Sequence, residues 1–416
     1  MSADVARKIT AIYPQTFSRL KAAIADWALA EDCLQDAVEK ALLQWPSNMP
    51  DNPSAWLITV AKNRAIDVFR RESKSTSLDQ QDGEGEQLAA LISEEDLSEQ
   101  ALRQTYRDDV LRLIFTVCHP ALNEETRLAL TLKQVMGFNL EAVANALLVT
   151  PKTMEQRLTR AKKKIQGAGI PFEIPPAKQI PDRMKSVMTV VYLIFNEGYS
   201  ATQGDALVRQ DLCNEAIRLA RLLQTLVKAN AELIGLLALL LNIDARRHAR
   251  QDEDGQLILL EQQDRSLWHT SQIAEAQVLL QKAMQFEQPG PYQIQAAIAS
   301  LHNQAASAKQ TDWHQIRLLY QSLMRFQRTP IVELNFAVAL AKSSDLRMGY
   351  QTVCALEEQL PNYVPMFAAK AGLAFELGLY DVAASAYEQA KALSQSEPER
   401  QFFSAQMERI RELVAQ

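Results

Sequence analysis

Long hydrogen-bond donors recur at helical spacing near the middle of the chain. Between Asn139 and Ile165 the sequence reads NLEAVANALLVTPKTMEQRLTRAKKKI. Thr150 followed by Pro151 predicts the start of a helix, because threonine caps a helix well and proline suits its first position. At about 100° per residue, one face of that helix carries side chains that can bind phosphates and base edges. They are Lys152, Gln156, Thr159, Arg160 and Lys163.

An amphipathic helix precedes this one and completes a pair. Asn139 is a polar N-cap, and the residues after it are apolar at helical spacing. The later helix is expected to bury a stripe formed by Met154, Leu158, Ala161 and Ile165. Two helices joined by a tight turn, with donors facing outward on the second, are typical of a helix-turn-helix that enters the major groove. The alternative is that lysine and arginine only solvate a surface helix.

Composition favours an all-helical protein. The 416 residues are 47% hydrophobic and include only 13 glycines, so roughly two to four helical domains with sizeable cores are expected. The net charge is −6, whereas nucleic-acid binders are usually basic. Any contact with DNA must therefore come from local basic surfaces.

The sequence offers little for metal, disulfide or membrane chemistry. Cys33, Cys118, Cys213 and Cys354 are far apart and lack CxxC spacing, so reduced thiols are expected, and neither a metal site nor a cofactor is predicted. No run of about 18 uncharged apolar residues exists, and the N-terminal MSADVARKIT lacks the apolar core of a signal peptide. A cytoplasmic protein without membrane contact is expected.

Two further helices are predicted near the N-terminus. The first, LAEDCLQDAVEKALLQW, spans Leu29–Trp45, and Leu34, Val38, Ala41 and Leu42 are expected to face inward. Its opposite face is acidic, which by itself is typical of a solvated surface. That face carries Asp32, Gln35, Asp36 and Glu39.

The second helix, SAWLITVAKNRAIDVFRRESK, follows a loop stiffened by prolines between Pro46 and Pro53, and Ser54 is expected to cap it. Its C-terminal half is rich in lysine and arginine, which suit both the negative end of the helix dipole and phosphates. Trp56 and Phe69 lie among these cations. Aromatic and basic residues together suit unpaired DNA bases. The alternative is that the rings belong to the core.

Changes of composition mark the domain boundaries. Residues 75–101 contain no lysine or arginine and many acidic residues, which predicts a flexible linker. Helices then resume, and Asn123 is expected to cap a helix that ends at Gly137. The proline-rich segment from Gly167 to Asp182 marks a second boundary. These features predict two small basic helical modules joined by an acidic tether.

On these features, the first 170 residues resemble the extracytoplasmic-function (ECF) sigma factors of bacterial RNA polymerase. AEDCLQDAVEKAL is similar to the family's polymerase-binding helix and AWLITVAKNRAIDVFRR to its promoter-melting helix. Residues 139–165 are similar to the helix-turn-helix that reads the upstream promoter element. The resemblance implies binding to promoter DNA, to the clamp of the largest polymerase subunit and to the flap of the second subunit.

The resemblance also implies three groups of site residues. The contacts to core polymerase are Asp32, Gln35, Asp36 and Glu39. The contacts to the downstream promoter element are Asn48, Asn52, Trp56, Lys62, Asn63, Arg64, Asp67, Arg70 and Arg71. The contacts to the upstream element are Lys152, Thr153, Gln156, Arg157, Arg160 and Lys163. The two asparagines are expected to read base edges, because they lie in the loop where the family holds a flipped base.

The rest of the chain resembles one ECF subgroup whose long helical C-terminal extension is usually taken to replace a separate anti-sigma protein. One stretch that carries this resemblance, RLIFTVCHPAL, lies before the helix-turn-helix. The others lie in the extension: VYLIFNEGYSAT, LCNEAIRLARLL, DARRHAR, LLEQQDRSLW and PGPYQIQAAIASLH. Asn196, Glu197 and Tyr199 either line a ligand pocket or surround a left-handed Gly198 at a helix end. Asp244 and the arginines after it form either a salt-bridged network or a surface of separate charges.

A period of 34 residues is detectable near the C-terminus. Shifting the chain by this length aligns Ala337 with Ala371 and Gly349 with Ala383. This is the tetratricopeptide (TPR) period, and stacked helix pairs of that kind expose a concave surface that binds a peptide or a domain. The expected occupant of that groove is either the chain's own sigma module or a protein partner.

The sequence therefore predicts an all-α chain with two small sigma-type helical bundles, a flexible linker and a helical extension with TPR-like repeats. The predicted segments are 1–75 (sigma region 2), 76–103 (acidic linker), 104–169 (sigma region 4), 183–285 (a family-specific helical domain) and 286–416 (TPR-like repeats). The predicted function is that of a sigma factor, not an enzyme, with the extension as its regulatory element.

Two alternatives stay open. A helix-turn-helix regulator with a TPR-like sensor domain would act without the polymerase clamp, and substitution of Asp36 would then leave core binding unchanged. A hydrolase within residues 183–285 would need a nucleophile and base or a metal cluster. Four histidines in the C-terminal half of the chain have no such spacing in the sequence: His248, His269, His302 and His314.

Overall fold

A computed structural model describes residues 2–24, 26–75, 109–147, 149–199, 208–227, 229–252 and 255–415. These residues form α-helices and turns, with no β-strand among them and one isolated bridge between Gln251 and Leu257. The all-α prediction is therefore confirmed. The chain divides into two compact units, Met1–Val190 (unit 1) and Val191–Gln416 (unit 2). The predicted acidic linker, residues 76–103, lies outside the described residues.

Three helices form the first bundle of unit 1: α1 (Ser2–Ala23), α2 (Trp27–Gln44) and α3 (Pro53–Ser75). Each of them packs against the other two. Asp26 begins α2, since its Oδ1 accepts a hydrogen bond of 2.9 Å from the backbone N–H of Leu29. The helix therefore starts before the Leu29 that the periodicity predicts. The core of the bundle is fully buried and includes Phe17, Leu20, Leu34, Leu57 and Ala61.

The start of α3 differs from the prediction. The side chain of Asn52, and not that of Ser54, caps the helix, because Asn52 Oδ1 accepts a 3.1 Å hydrogen bond from the N–H of Ala55. The hydroxyl of Ser54 instead lies 3.2 Å from that of Thr16 on α1. Pro53 explains the difference, since proline favours the first helical position and leaves the residue before it as the cap.

The second bundle of unit 1 follows the linker. It consists of α4 (109–117), α5 (Glu124–Leu130), α6 (Leu140–Ala146), α7 (Pro151–Gly167) and the first half of α8 (Ile180–Tyr199). Helices α6 and α7 pack together, and α7 also contacts α5. This bundle contains the predicted helix-turn-helix.

Local capping sets the ends of these helices as the sequence predicts. Asn123 Oδ1 and Thr150 Oγ1 accept hydrogen bonds of 2.9 and 3.2 Å from the N–H groups three residues further on. Both predicted N-caps are confirmed. A π-helical turn, Thr131–Val135, extends α5, and Gly137 ends the segment with a φ of 71°. Glycine suits this left-handed position because it lacks a Cβ.

Unit 2 begins with the second half of α8. It continues with α9 (Gln210–Leu226), α10 (Ala231–Asp244) and α11 (Thr270–Met284), and α10 packs against both neighbours in sequence. Leu212, Ala216, Leu219 and Leu223 are buried and form the apolar stripe of α9. Helix α10 is buried along most of its length, which accounts for its leucine-rich sequence.

Gly198 has a different role from the predicted one. It lies inside α8, and among the described residues the glycines with positive φ are Gly137, Gly169, Gly255 and Gly378. The prediction of a left-handed helix end at Gly198 is therefore wrong. Helix α8 instead runs so close to α9 that a Cβ at position 198 would lie 2.7 Å from the backbone nitrogen of Cys213. Helix packing, not backbone conformation, requires glycine here.

Paired helices complete unit 2. They are α12 (Pro291–Gln304), α13 (Trp313–Phe326), α14 (Pro330–Ser343), α15 (Leu346–Ala355), α16 (Val364–Glu376), α17 (Tyr380–Leu393) and α18 (Glu397–Ala415). Ala337 and Ala371 occupy equivalent buried positions of α14 and α16, and Gly349 and Ala383 do so in α15 and α17. A Cβ at Gly349 would lie 2.5 Å from that of Ala341, so α14 and α15 cross closely. The TPR-like fold is confirmed.

Glu232 on α10 connects the family-specific helices to the repeats. Its carboxylate accepts hydrogen bonds of 2.9 and 3.2 Å from the backbone N–H groups of Tyr292 and Gln293, and one of 3.0 Å from the Gln293 amide. These bonds cap the first turn of α12, where a negative charge is favourable. Gly290 leaves room for the carboxylate, because any Cβ there would collide with it.

Candidate nucleic-acid interface

One face of α2 carries the side chains predicted to contact polymerase. Asp32, Gln35 and Glu39 are exposed, and Asp36 is half-buried. Leu42, which the periodicity predicts to face inward, is 42% exposed. It lies about 100° round the helix from the buried residue before it, beyond the edge of the packed surface. The accessible part of α2 is therefore acidic and becomes apolar towards its C-terminal end.

Asp36 is held by another predicted site residue. Its Oδ2 accepts a 2.6 Å hydrogen bond from Nε of Arg64 on α3. Both side chains remain partly exposed, at 43% and 37%. The pair connects a residue predicted to bind polymerase with one predicted to bind DNA.

The loop between α2 and α3 carries two predicted base readers. Asn48 and Asn52 are both exposed. The side-chain oxygen of Asn52 caps α3, so its amide NH₂ is the group that remains for a base. Trp56 is half-buried and meets the buried Trp45 edge-on, with ring centroids 5.5 Å apart. Part of the Trp56 ring therefore belongs to the bundle, and part remains accessible.

The rest of the downstream site lies along α3. Asn63 and Asp67 are exposed, and Lys62 is half-buried. The side chains of Arg70 and Arg71 lie outside the described residues, so their predicted contacts stay predictions. Leu57, Ala61 and Ala65 are buried on the opposite face.

Helix α7 presents the upstream site. Five of its six predicted contacts are exposed: Lys152, Thr153, Gln156, Arg160 and Lys163. The sixth, Arg157, is half-buried, and its Nη1 lies 3.3 Å from Oε2 of Glu125 on α5. The predicted buried stripe is confirmed, because Met154, Leu158, Ala161 and Ile165 are all buried. An outward face of flexible donors over a packed stripe suits the major groove.

Within unit 1 the two bundles meet through α2 and α7. The ammonium of Lys162 on α7 forms an ion pair with the carboxylate of Glu31 on α2, whose side chain is only 3% exposed. Beside this pair, Nε2 of Gln166 donates a 3.1 Å hydrogen bond to Oδ2 of Asp26. Neither Glu31 nor Lys162 is among the predicted site residues. The signal for Glu31 is present in the sequence, since this carboxylate lies on the same helical stripe as Leu34.

The pair perturbs titratable groups around it. Burial and the Glu31 carboxylate raise the pKa of Asp32, and Lys162 opposes that effect. Burial lowers the pKa of Lys133, while Glu31 pulls it upward and Lys162 downward. The contact between the bundles is therefore a cluster of interacting charges.

The extension holds buried charge but no metal cluster in its described part. Asp244 is fully buried and pairs with Arg247, and its carboxylate also accepts a 2.7 Å hydrogen bond from Gln272. Part of the predicted salt-bridged network is thus built into the fold. These residues line an open cleft of about 340 Å³ between α9, α10 and α11. The described residues include no group of three side chains able to hold a metal ion. The ring centroids of His248 and His269 lie 5.0 Å apart.

No helix in the described part of the chain is both long enough and apolar enough to cross a membrane.

Comparisons with known families match three parts of the chain. Residues 9–75 match Sigma-70 region 2, and residues 112–165 match Sigma-70, region 4. Residues 183–284 match a family of unknown function, DUF6596. The two bundles of unit 1 are therefore sigma-factor modules, and the extension begins with a separate family of its own.

Relatives extend this assignment. An uncharacterized protein of Rhizobium meliloti (strain 1021) is 43% identical over 399 residues, which cover 95% of this chain and 93% of that protein. A probable ECF RNA polymerase sigma factor, SigI, of Mycobacterium tuberculosis (strain CDC 1551 / Oshkosh) is 24% identical over 155 residues, 37% of this chain and 52% of the relative.

Both the fold and these matches define a sigma factor that binds RNA polymerase core and promoter DNA. The chain belongs to the extracytoplasmic-function sigma factors, among those that carry a long helical C-terminal extension.

Proposed function

We propose that α2 docks on the clamp of the largest polymerase subunit, region 4 binds the flap of the second subunit, α3 melts the downstream promoter element and α7 reads the upstream element. The outward donor face of α7 carries the proposal, because five of its six predicted contacts are free of packing. The exposure of Asp32, Gln35 and Glu39 supports the docking role of α2.

Co-purification with core polymerase and mapping of transcript start sites test this proposal. The full-length chain is expected to bind core and to direct initiation at promoters that share two sequence elements. The double substitution Asp32→Ala/Glu39→Ala is expected to weaken core binding, and Lys40→Ala on the same helix serves as an exposed control. A chain that fails to bind core, or that binds without selective initiation, would contradict the proposal.

We also infer that the extension regulates the sigma modules. Unit 2 has its own core, and its TPR-like repeats provide the kind of surface that binds a peptide or a domain. The sigma module of this chain and a separate protein are the two expected occupants. The extension is proposed to act by binding, not by catalysis, and the chain is proposed to work in the cytoplasm without a cofactor.

Truncation tests the regulatory role of the extension if the truncated chain keeps α8. A cut near Pro175 would remove the first half of α8, whose Arg183, Met184 and Val187 are buried in unit 1. A chain that ends after Tyr199 keeps this half, and circular dichroism must show that it remains helical. Its transcription from the cognate promoter is expected to differ from that of the full chain. Equal transcription by the two would exclude a regulatory role in these conditions.

A further inference from the structure

We propose that unit 2 binds a small oxyanion, either a phosphate or a carboxylate group, at a cluster formed by Arg246, Arg265 and His302. This inference goes beyond the sigma-factor function proposed above and does not depend on it. The whole cluster lies in unit 2, and both arginines lie in residues 183–284, which match a family of unknown function. The oxyanion is therefore a ligand of the extension and not of the sigma modules.

Three separate stretches of the sequence supply this cluster. Arg246 lies just after α10, Arg265 begins a short 3₁₀ turn, and His302 lies in the last turn of α12. The turn at Arg265 packs against the turn that follows Arg246. Beside this contact, the backbone N–H of His269 donates a 2.9 Å hydrogen bond to the carbonyl oxygen of Ala245. The fold therefore brings together polar residues that are far apart in the chain.

Arg246 carries a buried charge that no described residue neutralises. Only 7% of Arg246 is exposed. Its Nε and Nη1 atoms are buried and have no hydrogen-bond partner among the described residues. Arg247, the next residue, has the same chemistry but forms an ion pair with the buried Asp244. A buried ion without a partner is costly, so Arg246 needs an anion that the described part of the chain does not supply.

Arginine cannot avoid this cost by losing its proton, because its pKa lies above about 12. Histidine can avoid it. Burial, followed by the nearby Arg246 and Arg265, lowers the pKa of His302 to about 4, so its imidazole is neutral near pH 7. Burial and the same Arg246 also lower the pKa of Arg265. Two positive charges therefore lie close together beside a neutral ring, and their mutual repulsion favours the binding of an anion.

The guanidinium of Arg265 is fixed by its surroundings. Its Nη1 donates hydrogen bonds of 2.7 and 2.8 Å to the carbonyl oxygens of His302 and Ala305, at the end of α12. Its Cζ lies 4.4 Å from the centroid of the Trp268 ring. No described residue accepts a hydrogen bond from Nε or Nη2 of Arg265. These two atoms form one edge of the guanidinium, and such an edge binds an oxyanion through two parallel hydrogen bonds.

The cluster is accessible to a small ion, since Arg265 and His302 are only half-buried. The ring of His302 meets that of Trp313 edge-on, with centroids 5.2 Å apart. A neutral imidazole donates from one nitrogen, so His302 adds a hydrogen-bond donor to those of the two arginines. Among the described residues, no carboxylate forms an ion pair with Arg246 or Arg265. A set of donors without a competing acid selects oxyanions against cations.

Thermal unfolding of the full-length chain in different salts tests the site. Inorganic phosphate and succinate are the probes, because they present the two kinds of oxyanion, and sodium chloride at equal ionic strength is the reference. The wild-type chain is expected to melt at a higher temperature with at least one probe than with chloride, because a ligand that binds only the folded state stabilises it. A larger rise with phosphate assigns a phosphate group to the site, and a larger rise with succinate assigns a carboxylate.

Arg246→Met removes the buried charge and keeps an unbranched apolar stem. It is expected to weaken binding of the effective probe about tenfold or more in isothermal titration calorimetry, as loss of a charge-assisted hydrogen bond does. In chloride alone this variant is expected to melt no lower than wild type, because it no longer buries an unpaired ion. Arg325→Met, at an exposed position of α13, is the matched control and should keep the wild-type response.

Arg246→Lys replaces the methionine variant if that variant does not fold. It keeps the charge but lacks the planar fork of arginine, so it should also bind the probe more weakly. Anions such as phosphate stabilise folded proteins by exclusion from their surface. An equal rise in melting temperature for wild type and the Arg246 variant would therefore be non-specific and would overturn the proposal, as would no rise with either probe. Neither outcome bears on binding to core polymerase, which tests the sigma-factor function separately.

Discussion

Asp36 and Arg64 are predicted to bind different partners, yet they bind each other in the free protein. An ion pair with this much exposure contributes under about 1 kcal/mol to the free energy of unfolding, so it does little to stabilise the fold. It fixes the rotamer of a predicted DNA contact and at the same time occupies a predicted polymerase contact. In the proposed function, this one carboxylate couples docking on polymerase to the position of Arg64.

Asp36→Asn is expected to weaken core binding about tenfold and to slow open-complex formation further, because Arg64 loses its partner. Equilibrium binding to core and a permanganate footprint of the melted strand measure the two effects separately. Glu39→Gln lies on the same face, and no described cation pairs with it, so it should affect binding alone. Unchanged core binding by Asp36→Asn would favour a regulator that acts without the clamp.

His302 on α12 is expected to make the stability of unit 2 depend on pH. Burial, followed by the nearby Arg246 and Arg265, lowers the pKa of His302 to about 4. The neutral form is thus favoured in the folded state. The contribution of His302 to the free energy of unfolding is complete above the unfolded pKa of about 6.5. It is lost as the pH falls towards 4.

Wild-type protein is therefore expected to lose about 2 kcal/mol of stability between pH 6.5 and pH 4 from this group, after allowance for partial exposure. His302→Gln should reduce that loss, as measured by urea unfolding at a series of pH values. His314→Gln, at an exposed position of the next helix, should leave it unchanged. Parallel pH profiles for wild type and His302→Gln would show that the histidine does not contribute.

At the scale of secondary-structure elements, close helix crossings explain glycines that the sequence presents as turn signals. Gly198 allows α8 to pack on the first turn of α9, where Leu212 and Cys213 leave no room for a Cβ. The capping residues Asn123 and Thr150 do identify two helix starts. The distance between two helices depends on residues that are not neighbours in sequence, so the pattern FNEGY alone could not distinguish a turn from a crossing.

Gly198→Ala is expected to destabilise the protein by about 1–3 kcal/mol, because the new methyl group would overlap the backbone of α9. Gly372→Ala on α16 is the matched control. Nothing lies within 4 Å of a Cβ there, so this substitution should be neutral or stabilise the helix by about 0.5–1 kcal/mol. Thermal unfolding of both variants decides the question. Equal melting temperatures for the two would contradict the packing argument.

At the scale of the whole molecule, an acidic chain binds DNA through small basic surfaces. The net charge of −6 opposes general attraction to phosphate, so the proposed promoter contacts depend on local basic surfaces, the exposed face of α7 and α3. In the proposed function, specific and non-specific contacts lie side by side on α7. Substitutions on α7 should therefore separate into two classes.

Arg160→Ala is expected to weaken promoter binding by about 1–3 kcal/mol and to relax specificity at one base pair, as the loss of a base-edge contact does. Lys163→Ala should instead weaken all sequences alike and reduce the salt dependence of binding by about one counterion. In vitro transcription from single-base promoter variants, at several salt concentrations, distinguishes the two. Transcription by Arg160→Ala that equals wild type on every variant would remove Arg160 from the contact list.

The sequence by itself determined the helices, the sigma modules and the repeat period. These features depend on local chemistry. The caps Asn123 and Thr150 and the buried stripe on α7 act over a few residues. The small residues Ala337 and Ala371 recur at a fixed period. Local rules are strong because they follow from helix geometry.

Only the tertiary structure decided which charges meet. Glu31 pairs with Lys162, Asp36 with Arg64, and Glu232 with the first turn of α12. Each contact joins residues far apart in the chain, and no periodic pattern relates them. For Glu31, burial selects the partner, because a charge that leaves water on folding needs an opposite charge or a donor wherever packing places it.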